Sequence, residues 1–350
     1  MESIKGITKI TDQTKLLEIQ RRCQDICQKK DLGFPGVQSV SMDVENLEFL
    51  KQTPYKVSWK ADGTRYMMLI DGENQVYLLD RDNCVFQISN LKFPRRKFPD
   101  EHVFGTLVDG EMVIDRVDGK AIHNYLIFDV VTFENQQVGK MSFDVRLFCI
   151  KNELIEPRQQ QNVVDKKSES FGVKNKDFWD IPMSSKLLDE KFTKQLTHAC
   201  DGLVYQPTLL AYSGGTNVNV LKWKPPSLNS IDFKLVLRNK LGAKGRLYVG
   251  HGHKRECFGE IKVTKELESL DRKIIECSFE CNEWKFMRER SDKSVANSKY
   301  TAKRIWNSIL NPITQEKLLD FIDNNLKRAS CKRPSTEDIV QPNSKRPKIE

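Results

Sequence analysis

YKVSWKADGTRYMMLI, residues 55–70, sets two apolar runs on either side of Asp62-Gly63. The first run alternates apolar and polar residues, the period-2 signature of a strand with one buried face. Asp-Gly recurs at 71–72, 109–110 and 118–119, again beside runs rich in Val, Ile, Phe and Tyr. Both residues tolerate positive φ, so Asp-Gly between apolar runs predicts hairpins. Residues 55–129 therefore read as an antiparallel sheet built from YKVSW, RYMMLI, VYLLD, TLVDGEMVI and NYLIFDVV. Before it lie a helical stretch at 16–27 and a Gly-Pro loop at 33–36. After it come an amphipathic helical pattern at 144–155 and a polar loop at 159–170.

A second block begins near residue 230. DFKLVLR, RLYVG, CFGEIKV, KIIECSFE and WKFMRER are five short strand candidates in about 60 residues, the size and count of a five-stranded OB-type barrel. Apolar residues at helical spacing follow over 301–326, and 328–350 is proline-containing and poor in apolar residues, a disordered tail by composition. The fold class expected is α+β. A chain of 350 residues is more than one ordinary domain, so the expected division is 1–232, then 233–327 with its C-terminal helix, then the tail.

Composition narrows the function classes. With 39% hydrophobic and 30% charged residues the chain is a normal globular one, and no apolar run approaches the roughly 18–20 residues of a membrane span. MESIKGITKITDQ offers no apolar core for export, and nine cysteines cannot all pair within one chain, so reduced thiols inside a cell are expected. Cys23-x3-Cys27 and Cys277-x3-Cys281 are too loosely spaced for a structural zinc site. A net charge of +9, from 57 Lys+Arg against 48 Asp+Glu, suits a polyanionic partner.

Lys60-Ala61-Asp62-Gly63-Thr64-Arg65 places a lysine at a strand end with an arginine just beyond a turn. Arg81-Asp82-Asn83, Asp109-Gly110-Glu111, Phe128-Asp129, Asp201-Gly202-Leu203 and Leu221-Lys222-Trp223-Lys224-Pro225 add cations, carboxylates and an aromatic ring. Lys222 and Lys224, two apart, share one strand face. Taken singly, each peptide is an ordinary turn or a solvated strand face. Together they supply a lysine nucleophile, further cations and carboxylates for a divalent metal, the kit for attack on a nucleoside triphosphate.

In this order the set resembles the covalent nucleotidyltransferase superfamily of mRNA capping guanylyltransferases, ATP-dependent DNA ligases and RNA ligases. Lys60 to Arg65 matches its KxDGxR signature, and LKWKPPSLNSIDF (221–233) with WKFMRERSDK (284–293) is most similar to the guanylyltransferase half of animal capping enzymes. The resemblance covers about residues 30–325. It implies a nucleotidyltransferase domain followed by an OB-fold lid, and transfer of GMP from GTP through lysyl-GMP on Lys60 to a 5′-diphosphate RNA end. Catalytic roles fall to Lys60, Arg65, Lys222, Lys224, Arg290, Asp292 and Lys293. Phe128 would stack on guanine, Arg81 and Glu111 would touch the ribose, and Lys174 or Lys176 would reach guanine O6. Lys222 and Lys224 would hold the α-phosphate; Arg288, Arg290 and Lys293 would face the β- and γ-phosphates. Mg²⁺ or Mn²⁺ is the implied cofactor, with Asp129 and Asp201 near it.

Implied partners are nascent RNA, the phosphorylated tail of RNA polymerase II, and an RNA triphosphatase in the same full-length protein or a separate one, since no His-Cys-x5-Arg loop occurs here. No membrane partner is expected. Val295-Ala296-Asn297 stands where the family tends to have proline before asparagine. Lys332-Arg333 and Lys345-Arg346-Pro347-Lys348 read as a bipartite nuclear-import signal, so the nucleus is the expected location. The alternatives are an ATP-dependent polynucleotide ligase, sharing the lysine chemistry, and a noncatalytic scaffold for the polymerase tail. The late Arg-x-Arg-x-Asp-Lys speaks against the first, and the intact Lys60, Glu111 and Lys222 against the second.

Overall fold

Among the described residues, seventeen strands, β1 (Ile7–Lys9), β2 (Val37–Ser41), β3 (Tyr55–Ala61), β4 (Thr64–Ile70), β5 (Val76–Leu79), β6 (Val85–Ile88), β7 (Thr106–Val117), β8 (Lys120–Thr132), β9 (Gly172–Asn175), β10 (Trp179–Asp180), β11 (Cys200–Pro207), β12 (Gly215–Trp223), β13 (Ile231–Val236), β14 (Lys244–His251), β15 (Lys254–Lys262), β16 (Ile274–Glu280) and β17 (Glu283–Glu289), form three sheets. The computed structural model describes residues 4–29, 33–160, 163–237, 244–252 and 254–325. The tail at 328–350, with its import-signal reading, lies outside the described residues.

The first sheet runs β1-β6-β5-β4-β7-β8-β9 and the second β10-β3-β11-β12-β2, each antiparallel except for one parallel pair, β8 with β9 and β12 with β2. With helices packed against these sheets, the fold class is α+β. β4 shows why its sequence is apolar on both faces. Tyr66, Met68 and Ile70 enter one core, under the segment 143–159, while Met67 and Leu69 enter another, under the helix Gln13–Ile26. A strand covered on both sides loses alternation and becomes a continuous apolar run.

The Asp-Gly pairs divide three ways. Asp71-Gly72 and Asp118-Gly119 connect paired strands as expected, and at the latter both residues have positive φ, 50° and 74°. Asp62-Gly63 is not a hairpin: β3 and β4 lie in different sheets, so this dipeptide carries the chain from one sheet to the other. Asp109-Gly110 and Asp201-Gly202 are not turns either. Each sits at a register shift inside a longer strand, β7 and β11. A bulge, like a turn, wants a small flexible residue, which is why the dipeptide reads the same in both settings.

The third sheet, β15-β14-β13-β16-β17, holds the five strands expected for the second block. It curls until its edges meet: a Cβ on Gly259 of β15 would lie 2.6 Å from the indole nitrogen of Trp284 on β17. The helix Lys299–Leu310 closes its core with Ala302 and Ile305. The helical pattern at 301–326 is two helices, not one, because Pro312 cannot continue the first. The second, Gln315–Asn325, turns back and buries Leu318 and Ile322 against Val57, Tyr205 and Trp223 of the second sheet. The C-terminal helix expected to belong with the barrel thus packs on the first unit. Helical spacing reports a buried face but not the surface that buries it. No described helix is long and apolar enough to cross a membrane.

Candidate active site

Lys60 points into a cleft of about 260 Å³ walled by the first two sheets on one side and the third sheet on the other. It belongs to the polar face of β3, while Tyr55, Val57, Trp59 and Ala61 face inward and are buried. Gly63 follows because a Cβ there would lie 2.4 Å from the Met112 carbonyl oxygen. Across the ladder, the bulge at Cys200 to Leu203 turns Asp201 toward β3. Its carboxylate accepts from Lys60 Nζ at 2.7 Å and pairs with Lys224 Nζ at 2.6 Å. Burial opposes ionisation of Asp201, but Lys60 and Lys224 outweigh it and hold the carboxyl below its ordinary value. The bulge needs glycine at 202: φ is +139° and a Cβ would fall 2.1 Å from the Trp223 carbonyl oxygen.

β12 delivers the next cations by simple alternation. Trp223 is buried and donates its indole N–H to the Ile313 carbonyl, so Lys222 and Lys224 on either side face the cleft. Lys222 has no carboxylate partner among the described residues. Burial first, then Lys60 and Lys224, bring its pKa down from 10.5 to about 7.

The second bulge, at Asp109-Gly110, buries Asp109 completely. Asp109 accepts from Arg65 Nε at 2.9 Å, from Arg65 Nη2, and from the Tyr212 hydroxyl at 2.5 Å. Arg65 also donates to the Val37 carbonyl, and its guanidinium lies 5.4 Å from the Phe34 ring centroid and 5.3 Å from that of Phe128. Three of the five N–H donors of Arg65 are thus engaged by the cleft wall, which makes it a brace for the Phe128 ring. Just past the bulge, Glu111 enters the cleft, its carboxyl raised by burial against the opposing pull of Lys60, Lys176 and Arg81. Arg81 lines the same space and forms no ion pair among the described residues. Burial, then Arg65, lowers its pKa.

The structure separates the two lysines of GVKNKD. Lys176 is 6% exposed, lines the cleft, and is brought down to about 8 by burial, with Glu111 opposing. Lys174 lies outside it, paired with Asp115 at 2.8 Å. Asp129, expected near a metal, does not line the cleft. It is buried, with its carboxylate on Arg146 at 2.7 and 3.2 Å, because a buried carboxylate needs a fixed cation. With Asp201 held by two lysines, no group of three metal-ligating side chains exists among the described residues.

The opposite wall comes from the third sheet. Asp232 on β13 and Glu276 on β16 sit directly across the ladder, both nearly buried, a pairing of like charges that needs cations beside it. Those cations are the expected lid residues. Arg290 contacts Asp232 at 3.0 Å and Asp292 at 2.7 Å; Arg288 reaches Glu276 at 2.7 Å; Lys293 bonds Asp232. Arg290 holds the Asp292 carboxyl down to about 2. Asp292 lines an adjoining cavity, while Arg288, Arg290 and Lys293 line the Lys60 cleft. Lys60, Arg65, Arg81, Glu111, Phe128, Lys176, Asp201, Lys222, Lys224, Arg288, Arg290 and Lys293 are therefore brought together; Lys174 and Asp129 are not. Tyr212, Asp232 and Glu276 were not among the sequence candidates, and Asp109, named beside Glu111, had been given no role. The readable signal was an isolated acid in each of two apolar strands, at IDF and IIEC.

Family models place the chain among known proteins. The mRNA capping enzyme, catalytic domain, matches residues 1–226, and the mRNA capping enzyme, C-terminal domain, matches 228–319. The mRNA-capping enzymes of Danio rerio and Mus musculus are 48% and 49% identical, over 97% and 98% of this chain but 58% and 60% of those proteins. The chain thus spans about six-tenths of the length of these relatives. Among solved structures, a mycobacterial DNA ligase D complexed with ATP and MES overlaps at a TM-score of 0.40 and 12% identity, covering 75% of this chain and 98% of that one, too loosely to argue from. With the catalytic-domain match taking in well over half of its residues and the C-terminal-domain match directly behind, the chain belongs to the mRNA capping enzyme family.

Proposed function

We propose that this chain is a guanylyltransferase that takes GMP from GTP onto Lys60 and passes it to the 5′-diphosphate end of RNA. The observation that carries the reading is one cleft holding Lys60, its Asp201 anchor and the Lys222–Lys224 pair, faced by Arg288, Arg290 and Lys293 from the third sheet. In the first step the unprotonated Lys60 Nζ forms a bond to the α-phosphorus while the bond to the β-phosphate oxygen breaks; pyrophosphate leaves with its electron pair, and the attacking nitrogen sheds one proton to solvent. In the second an oxygen of the RNA diphosphate attacks the same phosphorus, and the Nζ–P bond breaks.

Asp201 fixes the direction of Lys60, which is worth most when the attack must be in line. Lys222 and Lys224 meet charge on the α-phosphoryl oxygens; the third-sheet cations meet charge growing on pyrophosphate. Phe128, braced by Arg65, offers a ring for guanine, Lys176 faces the base, and Arg81 with Glu111 serves the ribose. The carboxylates do not fit a protein-built metal cage: Asp129 is committed to Arg146, and Asp201 to Lys60 and Lys224. A divalent ion brought in on the triphosphate suits this cleft better, as Mg²⁺ commonly binds through substrate phosphates. No step above runs through it.

Supply of diphosphate ends requires an RNA triphosphatase, and the greater length of the relatives leaves room for one in the same protein. The phosphorylated polymerase tail and a nuclear location complete the proposal. The test is incubation with α-labelled GTP or ATP and Mg²⁺ followed by a denaturing gel. Label from GTP alone supports the reading; label from ATP alone makes the protein a ligase; no label makes it a scaffold.

A further inference from the structure

We propose that the RNA acceptor enters through a second chamber beside the Lys60 cleft, its first base stacked on Tyr300 and its phosphates met by Arg304 and Arg81. This rests on the guanylyltransferase reading. The chamber, of about 490 Å³, shares Ser39, Ser41, Arg81, Lys222, Lys293 and Asn297 with the cleft, so the two spaces are continuous. Its remaining walls mix the hydroxyls and amide of Gln38, Thr216, Ser294 and Ser298 with apolar side chains and two carboxylates, and both carboxylates are engaged, Asp82 by the Ser294 hydroxyl and Asp292 by Arg290, which leaves polar wall for a ribose-phosphate chain. Arg81 and Lys222 have no ion-pair partner among the described residues and stand at the junction where a diphosphate would have to arrive.

Tyr300 lies at the outer end, 62% exposed, with the Arg304 guanidinium 5.9 Å from its ring centroid. An exposed ring backed by an arginine is the platform single-stranded nucleic acids use, irrespective of base identity. Arg304 also forms an ion pair with Asp43 of the first unit at 2.6 Å. Departing pyrophosphate has the same phosphate chemistry but no base, so it makes no use of Tyr300. In the transfer an oxygen of the RNA β-phosphate bonds to the guanylate phosphorus, the bond to Lys60 Nζ breaks, and the freed amine takes up a proton.

The experiment compares Tyr300→Ala, Tyr300→Phe, Arg304→Gln and Asp43→Asn in three assays: labelling from GTP, reversal of the label by pyrophosphate, and transfer to a short 5′-diphosphate oligoribonucleotide. Loss of one stacked base corresponds to roughly a five- to hundred-fold rise in KM for the RNA. Tyr300→Ala and Arg304→Gln should show a rise of that order with labelling and reversal unchanged, and Tyr300→Phe should restore the wild-type KM. Asp43→Asn, which breaks the bridge but keeps Arg304, should leave KM for RNA near wild type. Unchanged KM in Tyr300→Ala and Arg304→Gln overturns the proposal. So does slower reversal by pyrophosphate, which makes the chamber a pyrophosphate exit, and so does an equal defect in Asp43→Asn and Arg304→Gln, which makes Arg304 only a clasp between units. A wild-type protein that takes no label from GTP overturns the guanylyltransferase reading itself.

Discussion

Lys222→Met should make the protein more stable and inactive at once. Lys222 lies in the cleft without a counter-ion among the described residues, and burial with Lys60 and Lys224 nearby brings its pKa from 10.5 to about 7. A fall of that size corresponds to roughly 5 kcal/mol against folding below pH 7. The side chain keeps some access to solvent, which leaves a working figure of about 2–3 kcal/mol. Between pH 7 and 10.5 the unfolded chain holds a proton on this lysine that the folded chain has released. The unfolded state therefore binds more protons, and wild-type stability rises with pH across that window. Methionine fills the same space without the charge and has no such dependence. Urea unfolding of both proteins at pH 7 and pH 9, without nucleotide, is the measurement. The variant should be more stable by about 2–3 kcal/mol at pH 7, with the gap narrowing by about half at pH 9. Lys176 titrates in the same range but is present in both proteins, so the difference isolates Lys222. A variant less stable than wild type at pH 7, or a gap that ignores pH, would refute the reasoning. Labelling from GTP should be lost, since the α-phosphate loses a cation that faces it.

Lys60→Arg should take no label from GTP while unfolding like the wild type, because arginine keeps its proton and cannot attack. Arg290→Ala or Lys293→Ala should slow lysyl-GMP formation by about 10²–10³-fold, yet preformed lysyl-GMP should pass to diphosphate RNA at near wild-type rate; equal loss in both half-reactions would point to damaged folding. Asp129→Asn should cost about 3 kcal/mol in unfolding assays by stranding the Arg146 guanidinium, while the Mg²⁺ midpoint of labelling stays where it was. Gly202→Ala should cost about 3 kcal/mol or more and take activity with it, since its Cβ has no room beside the Trp223 carbonyl; a soluble, fully active protein would count against the bulge.

Half-buried strands such as β3 and β12 were legible from their period of 2, and β4, covered on both sides, from its unbroken apolar run. Lys222 and Lys224 were placed on one face from spacing alone, and the buried Trp223 between them shows the rule at work. Pairing was less legible, because no local pattern says which strands are neighbours. The run 55–70 looks like one hairpin, yet β3 and β4 belong to different sheets, and Lys60 reaches the cleft because the chain crosses there. Lys174 and Lys176 illustrate the same limit. Two apart, they share a face by spacing, but β9 ends at Asn175, and Lys176 continues into the cleft while Lys174 stays outside on Asp115.

Aspartate before glycine predicts a turn, since both residues relax where the backbone must bend sharply. In Asp109-Gly110 and Asp201-Gly202 the bend is a bulge, and a bulge re-aims the side chain beside it. That is how Asp109 comes to hold Arg65 against Phe128, and how Asp201 comes to hold Lys60 and Lys224. An aspartate in a regular ladder would alternate with its neighbours and point where the strand dictates. Asp232 and Glu276 make the complementary case. Each was visible as a lone acid in an apolar strand, but only the register sets them opposite one another. Two facing carboxylates repel, so the cations that the third sheet presents to Lys60 also stabilise that sheet. Arg288, Arg290 and Lys293 are therefore held in position by the fold before any phosphate arrives, and a triphosphate bound there would compete with carboxylates for cations already oriented.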